Sequence, residues 1–214
     1  MFAELHARSA FSFLEGACSP EDLVARAAEL EIPAVALLDR DGLYGAPRFH
    51  LAAKKAGLRA HIGAEVTLAG GGRCPLLVET RAGYRNLCRL ITRMKLRSRK
   101  GEGSVTLEEV AEHAGGLVAL VTAEGAEAMQ AVFGRGQVYA EVQRHLERDE
   151  EARNQHTIDT ARRLDIPLLA TNGPSYAHPA QRQVMDVFTS LRHHVRLDTA
   201  GRLPALAAVS HDFH

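Results

Sequence analysis

The sequence predicts an α/β fold built on seven strands, and three features of it carry that prediction. Short apolar runs recur along the chain, helix-start signals stand between them, and several of the runs end in polar clusters. Most runs are continuous rather than alternating, as in parallel strands covered on both faces. A barrel of seven β/α units fits the count, and a doubly wound sheet fits the pattern nearly as well.

The elements follow in order. Residues 3–6 form a short strand. Ser19, Pro20, Glu21 and Asp22 open a helix: serine caps, proline suits the first position, and the acids complement the helix dipole. Leu23, Ala27 and Leu30 give it a helical period, and Pro33 follows its end. Residues 34–38, AVALL, are a buried-type strand that stops at Asp39, Arg40 and Asp41. Residues 47–56 read as a helix closed by Gly57. Residues 59–68 alternate like a strand and end in three glycines, 70–72, and residues 75–79 are the next strand. Leu87, Leu90, Ile91 and Met94 share one face of a helix over 84–96. Its end is basic (Arg93, Lys95, Arg97, Arg99 and Lys100), the pattern of a solvated helix C-terminus or of a nucleic-acid contact. Thr106 opens a short helix. Strands follow at 117–121, 138–142 and 167–171, with helices predicted over 123–133, 147–164 and 178–193.

Composition narrows the class. At 214 residues and 46% hydrophobic content, the chain suits one domain with its own core. Lys+Arg and Asp+Glu are both 26, so no strong basic field covers the whole molecule. Three cysteines without C-x-x-C spacing argue against a disulfide framework and predict a reducing, cytoplasmic setting. No apolar run approaches the ~20 residues of a membrane span, and His6 and Arg8 interrupt any signal-peptide core.

Strand ends are where α/β enzymes gather functional side chains. Here they supply His6 and Arg8; Asp39, Arg40 and Asp41; Glu65; His145; and Asn172 with Ser175. Any one of these is ordinarily a cap or turn residue. Together they form a polar set drawn from five segments.

The motifs at these ends resemble those of the PHP (polymerase and histidinol phosphatase) domain. They are most like the version at the N-terminus of error-prone, C-family bacterial DNA polymerases, which are DNA polymerase III alpha-subunit-like. That family reads L-H-x-H-S-x-F-S-F-L-D-G-A, and this chain has His6 but Arg8 for the second histidine and Glu15 for the aspartate. The family's T-D-H-D-G-L-Y-G stands here as L-D-R-D-G-L-Y-G, with Arg40 for histidine. Gly63, Ala64 and Glu65 match G-A-E, while Glu141, Arg144 and His145 match E-x-x-R-H. Ala170, Thr171, Asn172 and Tyr176 match A-T-N-D-V-H-Y, but Gly173, Pro174 and Ser175 replace D-V-H.

The resemblance covers nearly the whole chain and implies a distorted (β/α)7 barrel of the PHP type over residues 1–203, with a tail at 204–214. It implies a site that in active members holds two or three metal ions for phosphoester hydrolysis. His6, Glu15, Glu65 and His145 can still ligate. Arg8, Arg40, Gly173 and Ser175 stand where ligands are expected, and a guanidinium has no lone pair to offer. The expectation is a degenerate site without metal, in which Arg8 and Arg40 pair with Glu15, Asp39 and Glu65, supported by Asp41 and Asn172. A milder alternative keeps one zinc, manganese or iron ion on His6, Glu65 and His145.

Three functions follow. The first is a mainly structural PHP domain of an error-prone polymerase acting in DNA replication and translesion repair, with polymerase core domains as partners in cis or trans and nucleotidyl transfer carried elsewhere. The second is a metal-dependent phosphoesterase or 3′–5′ exonuclease. The third is a stand-alone nucleic-acid or partner-binding module.

Overall fold

The computed structural model describes residues 2–200, with side chains through Asp198; the predicted tail at 204–214 lies outside them. Seven strands form one sheet in chain order. They are β1 (Glu4–Ala7), β2 (Ala34–Arg40), β3 (Arg59–Thr67), β4 (Arg73–Val78), β5 (Leu117–Val121), β6 (Val138–Val142) and β7 (Leu168–Ala170). The helices are α1 (Pro20–Glu29), α2 (Ala46–Ala56), α3 (Arg81–Arg97), α4 (Leu107–His113), α5 (Ala126–Phe133), α6 (Glu150–Leu164), α7 (Arg182–Arg192) and α8 (Leu197–Ala200).

The predicted caps form. The Ser19 hydroxyl accepts from the Asp22 N–H while the Asp22 carboxylate accepts from the Ser19 N–H, and Thr106 and Glu109 repeat the exchange at α4. Gly57 closes α2 at φ +74°, in the left-handed region. Two helices begin later than predicted. Gly125 holds a positive φ before α5, and residues 143–148 form a loop ahead of α6. Residues 178–193 divide into a 3-10 turn, Pro179–Gln181, and α7.

The sheet is curled. Neighbouring strands lie about 4.8 Å apart, so β1 and β6 in a flat sheet would stand about 24 Å apart. Yet the His6 imidazole on β1 meets the Glu141 carboxylate on β6 at 2.8 Å. The chain beyond β7 also reaches β1, with the Arg8 N–H donating to the Pro174 carbonyl and the Asn172 N–H to Glu4. This is a distorted barrel.

Its main distortion is β4. All other pairings are parallel, but β4 runs antiparallel to both β3 and β5. No helix separates β3 from β4; the 70–72 glycine turn joins them as a hairpin. The count of seven strands therefore holds while the seven-fold β/α alternation does not. A continuous apolar run reports burial on both faces, and a reversed strand buried on both faces reads the same as a parallel one.

Helices cover the convex side. One core packs Val66, Cys74, Leu76 and Leu117 of the sheet against Leu87, Leu90, Ile91 and Met94 of α3. A second packs Val35 and Leu37 against Leu23, Val24 and Phe49. Alternation then turns Glu4, His6, Glu65 and Glu141 to the concave side, where all four are buried.

Candidate functional site

The concave side opens at the C-terminal ends of the parallel strands into a cavity of about 500 Å³. His6, Arg8, Glu65, Arg73, Glu141 and His145 line it. Because β4 is reversed, its first residue rather than its last arrives there. That residue is Arg73.

Guanidiniums and carboxylates meet at this mouth. Arg8 Nη2 donates to Glu65 Oε1 at 3.0 Å. Arg40 Nη1 donates to Glu15 Oε1 at 2.6 Å. Arg73 spans the two acids, donating to Glu65 Oε2 at 2.8 Å and to Glu15 Oε1 at 2.7 Å. Arg192, at the end of α7, lies 3.6 Å from Glu15. Both acid side chains are 5% exposed. Burial alone would raise the Glu65 carboxyl, but Arg8, His6 and Arg73 outweigh it and hold it well below the usual range. The Glu15 carboxyl is likewise lowered against burial by Arg73, Arg40 and Arg192.

Deeper in, His6 stands between two acids. Its Nδ1 meets Glu141 Oε1 at 2.8 Å, and its Nε2 is 3.4 Å from Glu65 Oε1, near enough for charge attraction without an aligned hydrogen bond. Burial would depress this imidazole, yet Glu141 and Glu65 lift it to about 9. Glu141 is lowered against burial by the same contact and also accepts from Thr171 and Gln143. Glu4, wholly buried, is raised by burial although it accepts the His6 and Asn172 N–H groups.

Asp39 serves a different purpose. Its carboxylate accepts the Ser9 N–H and hydroxyl and the Ser12 hydroxyl, and burial raises its pKa. It thus holds the loop after β1, and among the described residues it makes no ion pair with Arg8 or Arg40. Asp41, at φ +50°, accepts from the Thr67 N–H and hydroxyl, with Arg40 Nε at 3.5 Å.

His145 is brought to the cavity but not to His6. Its Nδ1 is 3.0 Å from Glu150 Oε1 and its Nε2 is 2.7 Å from the Asn172 carbonyl. Both partners are hydrogen-bond acceptors. Gly173 sits at φ +57°, and a Cβ there would lie 2.7 Å from the Gln143 amide nitrogen. Gln143 therefore occupies the space a side chain at 173 would need. Ser175 is buried, and its carbonyl accepts the Ala17 N–H. Among the described residues, no three His, Cys, Asp or Glu side chains converge as a ligand set.

Sequence reasoning missed Arg73, Arg192, Glu4 and Glu150 as site residues. For Arg73 one signal existed: a charged residue starting an otherwise apolar strand. The basic run divides. Arg93 pairs with Glu112 at 2.7 Å and Arg97 with Glu109, so these two clasp α4. Lys95 is half-buried, and Arg99 and Lys100 are exposed beyond the helix. The three cysteines are free, and burial pushes the Cys18 and Cys74 thiols up to about 12, which leaves them inert. No helix among the described residues is long and apolar enough to cross a membrane.

Comparison with known proteins adds relatives to this geometry. The family profile described as "PHP domain" matches residues 4–165. An error-prone DNA polymerase of Anaeromyxobacter sp. (strain K) is 42% identical over 219 aligned residues, covering 94% of this chain and 19% of the relative. Another, from Pseudomonas fluorescens, is 35% identical over 94% of this chain and 20% of its own length. The chain thus spans about a fifth of the curated relatives it matches. Among solved structures, an amidohydrolase of Chromobacterium violaceum with bound sulfate and no metal has a TM-score of 0.64 at 15% identity, covering 82% of this chain and 88% of its own. A lesion-specific endonuclease of Pyrococcus furiosus has a TM-score of 0.56 at 15% identity, over 81% of this chain and 48% of its own. At such identity the two likenesses speak to the fold alone.

Proposed function

The chain belongs to the PHP domain family, and from that premise we propose that it is the PHP module of an error-prone, DNA polymerase III alpha-like enzyme in which an ion network replaces the metal centre. In this reading the module is mainly structural. Nucleotidyl transfer belongs to polymerase core domains that it stabilises in cis or in trans, during replication past damaged DNA.

One observation carries the reading: the two carboxylates at the mouth, Glu15 and Glu65, are each engaged by two guanidiniums. The donor set does not suit a divalent cluster. Arg8 and Arg40 cannot ligate, and at ~5 Å with an effective dielectric of about 20 each would oppose a divalent ion by on the order of 6 kcal/mol. His145, needed for a one-ion site with His6 and Glu65, is turned to Glu150 and Asn172. Removing the arginines one at a time would leave buried carboxylates uncompensated, so the set is expected to change together.

The test is metal content of the purified full chain by elemental mass spectrometry, with zinc, manganese and iron offered and no chelator used. The unaltered chain is expected to hold well under one ion, and an Arg8→His/Arg40→His double variant to hold measurably more. Two or more tightly held ions on the unaltered chain would overturn the reading in favour of a working phosphoesterase. A double variant no richer in metal would remove the case for electrostatic replacement.

A further inference from the structure

We infer that α3 carries a second functional surface, an arginine stripe that tracks the phosphate backbone of DNA on the outer wall of the barrel. From Arg81 to Lys100 there are eight cations and no acid, in a chain whose net charge is zero. Arg81, Arg85, Arg89, Arg93 and Arg97 repeat at every fourth position.

Helix geometry separates these five. At 3.6 residues per turn, a step of four advances about 6 Å along the axis and drifts about 40° around it. Arg81, Arg85 and Arg89 therefore fall within about 80° and present one face. Arg93 and Arg97 have turned towards α4, where Glu109 and Glu112 neutralise them. The first three are exposed, and no side-chain hydrogen bond or ion pair of theirs is found among the described residues. The buried side of α3, Leu87, Leu90, Ile91 and Met94, belongs to the core, so the helix is rigidly mounted with this face outward. Gly83 seats its start so tightly that an added Cβ would lie 1.8 Å from the Gly116 carbonyl oxygen.

The chemistry favours a phosphate partner. Arginine presents a fork matched to phosphate oxygens, and regularly spaced cations on a straight rod suit a regularly spaced anion chain. Tyr84, 39% exposed between Arg81 and Arg85, offers a ring on which an unpaired base can stack. The stripe is separate from the cavity. Because β4 runs away from the mouth, α3 starts at the opposite end of the barrel. The inference does not depend on the metal-site reading, and it moves the nucleic-acid contact from residues 93–100 to 81–89.

The experiment is fluorescence anisotropy of the full chain with labelled duplex and single-stranded DNA of equal length, between about 50 and 200 mM salt. Arg81→Gln/Arg85→Gln/Arg89→Gln is expected to raise Kd at low salt by about 10-fold or more and to flatten the log Kd–log salt slope by about 2 to 3. A charge-matched Lys54→Gln/Lys55→Gln/Arg59→Gln control is expected to bind like the parent. Far-UV circular dichroism and melting of both variants should match the parent, since the replaced side chains are all exposed. The inference is overturned if the parent binds neither DNA at low salt, or if the control loses as much as the stripe variant. Equal affinity for poly-glutamate would also overturn it, pointing to an acidic protein partner.

Discussion

The His6–Glu141 contact makes stability depend on pH in a direction that can be worked out beforehand. The folded-state value of about 9 for His6 lies above the 6.5 of an ordinary imidazole. A group raised on folding contributes its full stabilisation below the unfolded value and loses it as pH climbs through the folded one. The stabilisation is therefore complete below about pH 6.5 and gone above about pH 9. The gap corresponds to about 3 kcal/mol, at about 1.4 kcal/mol for each tenfold change in proton affinity. Glu141 and Glu65 are lowered by the same attraction, so it counts once. For a chain of this size, 1 kcal/mol moves Tm by about 2–4 °C, so the fall across this window should be about 6–12 °C. Glu141→Gln keeps the shape and removes the charge that holds His6 protonated. It should cost on the order of 3 kcal/mol at pH 7 and abolish most of the slope between pH 6.5 and 9. Urea unfolding at half-unit pH steps on both proteins measures this directly. A parent whose stability is flat from pH 6.5 to 9.5, or a variant that keeps the parent's slope, would refute the charged-imidazole argument.

Two further perturbations test other parts of the structure. Arg73→Met retains the stem and deletes the charge shared by Glu15 and Glu65; it should destabilise by on the order of 3 kcal/mol at pH 7, with the deficit shrinking towards pH 4 as the acids protonate, read by urea midpoints at the two pH values. Gly83→Ala drives a methyl group into the Gly116 backbone and should cost about 1–3 kcal/mol in a thermal melt, whereas Gly115→Ala, whose nearest neighbour would be 3.6 Å away, should cost far less.

Much of this architecture could be read before any coordinates. The strands at 117–121 and 138–142 occur where their apolar runs place them, and the Ser19, Thr106 and Gly57 termini follow from local chemistry that tertiary packing does not override. Strand direction was not legible, because burial on both faces erases the alternation that would betray it. Arg73 was lost for that reason. A search of strand ends looks at the last residues, and a reversed strand delivers its first. The exchange of partners at the mouth was legible only in part. Opposite charges on Arg8, Arg40, Glu15 and Glu65 suggested pairing, but Asp39 went to Ser9 and Ser12 because the loop after β1 needs its buried N–H and hydroxyl groups satisfied. His145 matched its motif, and only the folded loop could reveal that Glu150 and Asn172 claim both its nitrogens.

The glycine hairpin between β3 and β4 has a further consequence. Gly71 and Gly72 take positive φ values, and nothing stands within 4 Å of where their side chains would be, so the turn itself carries no side chain of the site. It nonetheless fixes the register in which Thr67 faces Arg73 and Val66 faces Cys74. Side chains alternate along a strand, so lengthening or shortening that turn by one residue, with the ladder re-formed, would exchange the two positions. Cys74 would turn to the face that now carries Arg73, and a guanidinium would be driven among Leu87, Leu90 and Met94. The charge balance of the mouth is in this sense a matter of counting: it is set by the length of a turn, and an insertion there would be a lesion of the site although it alters none of the site's residues.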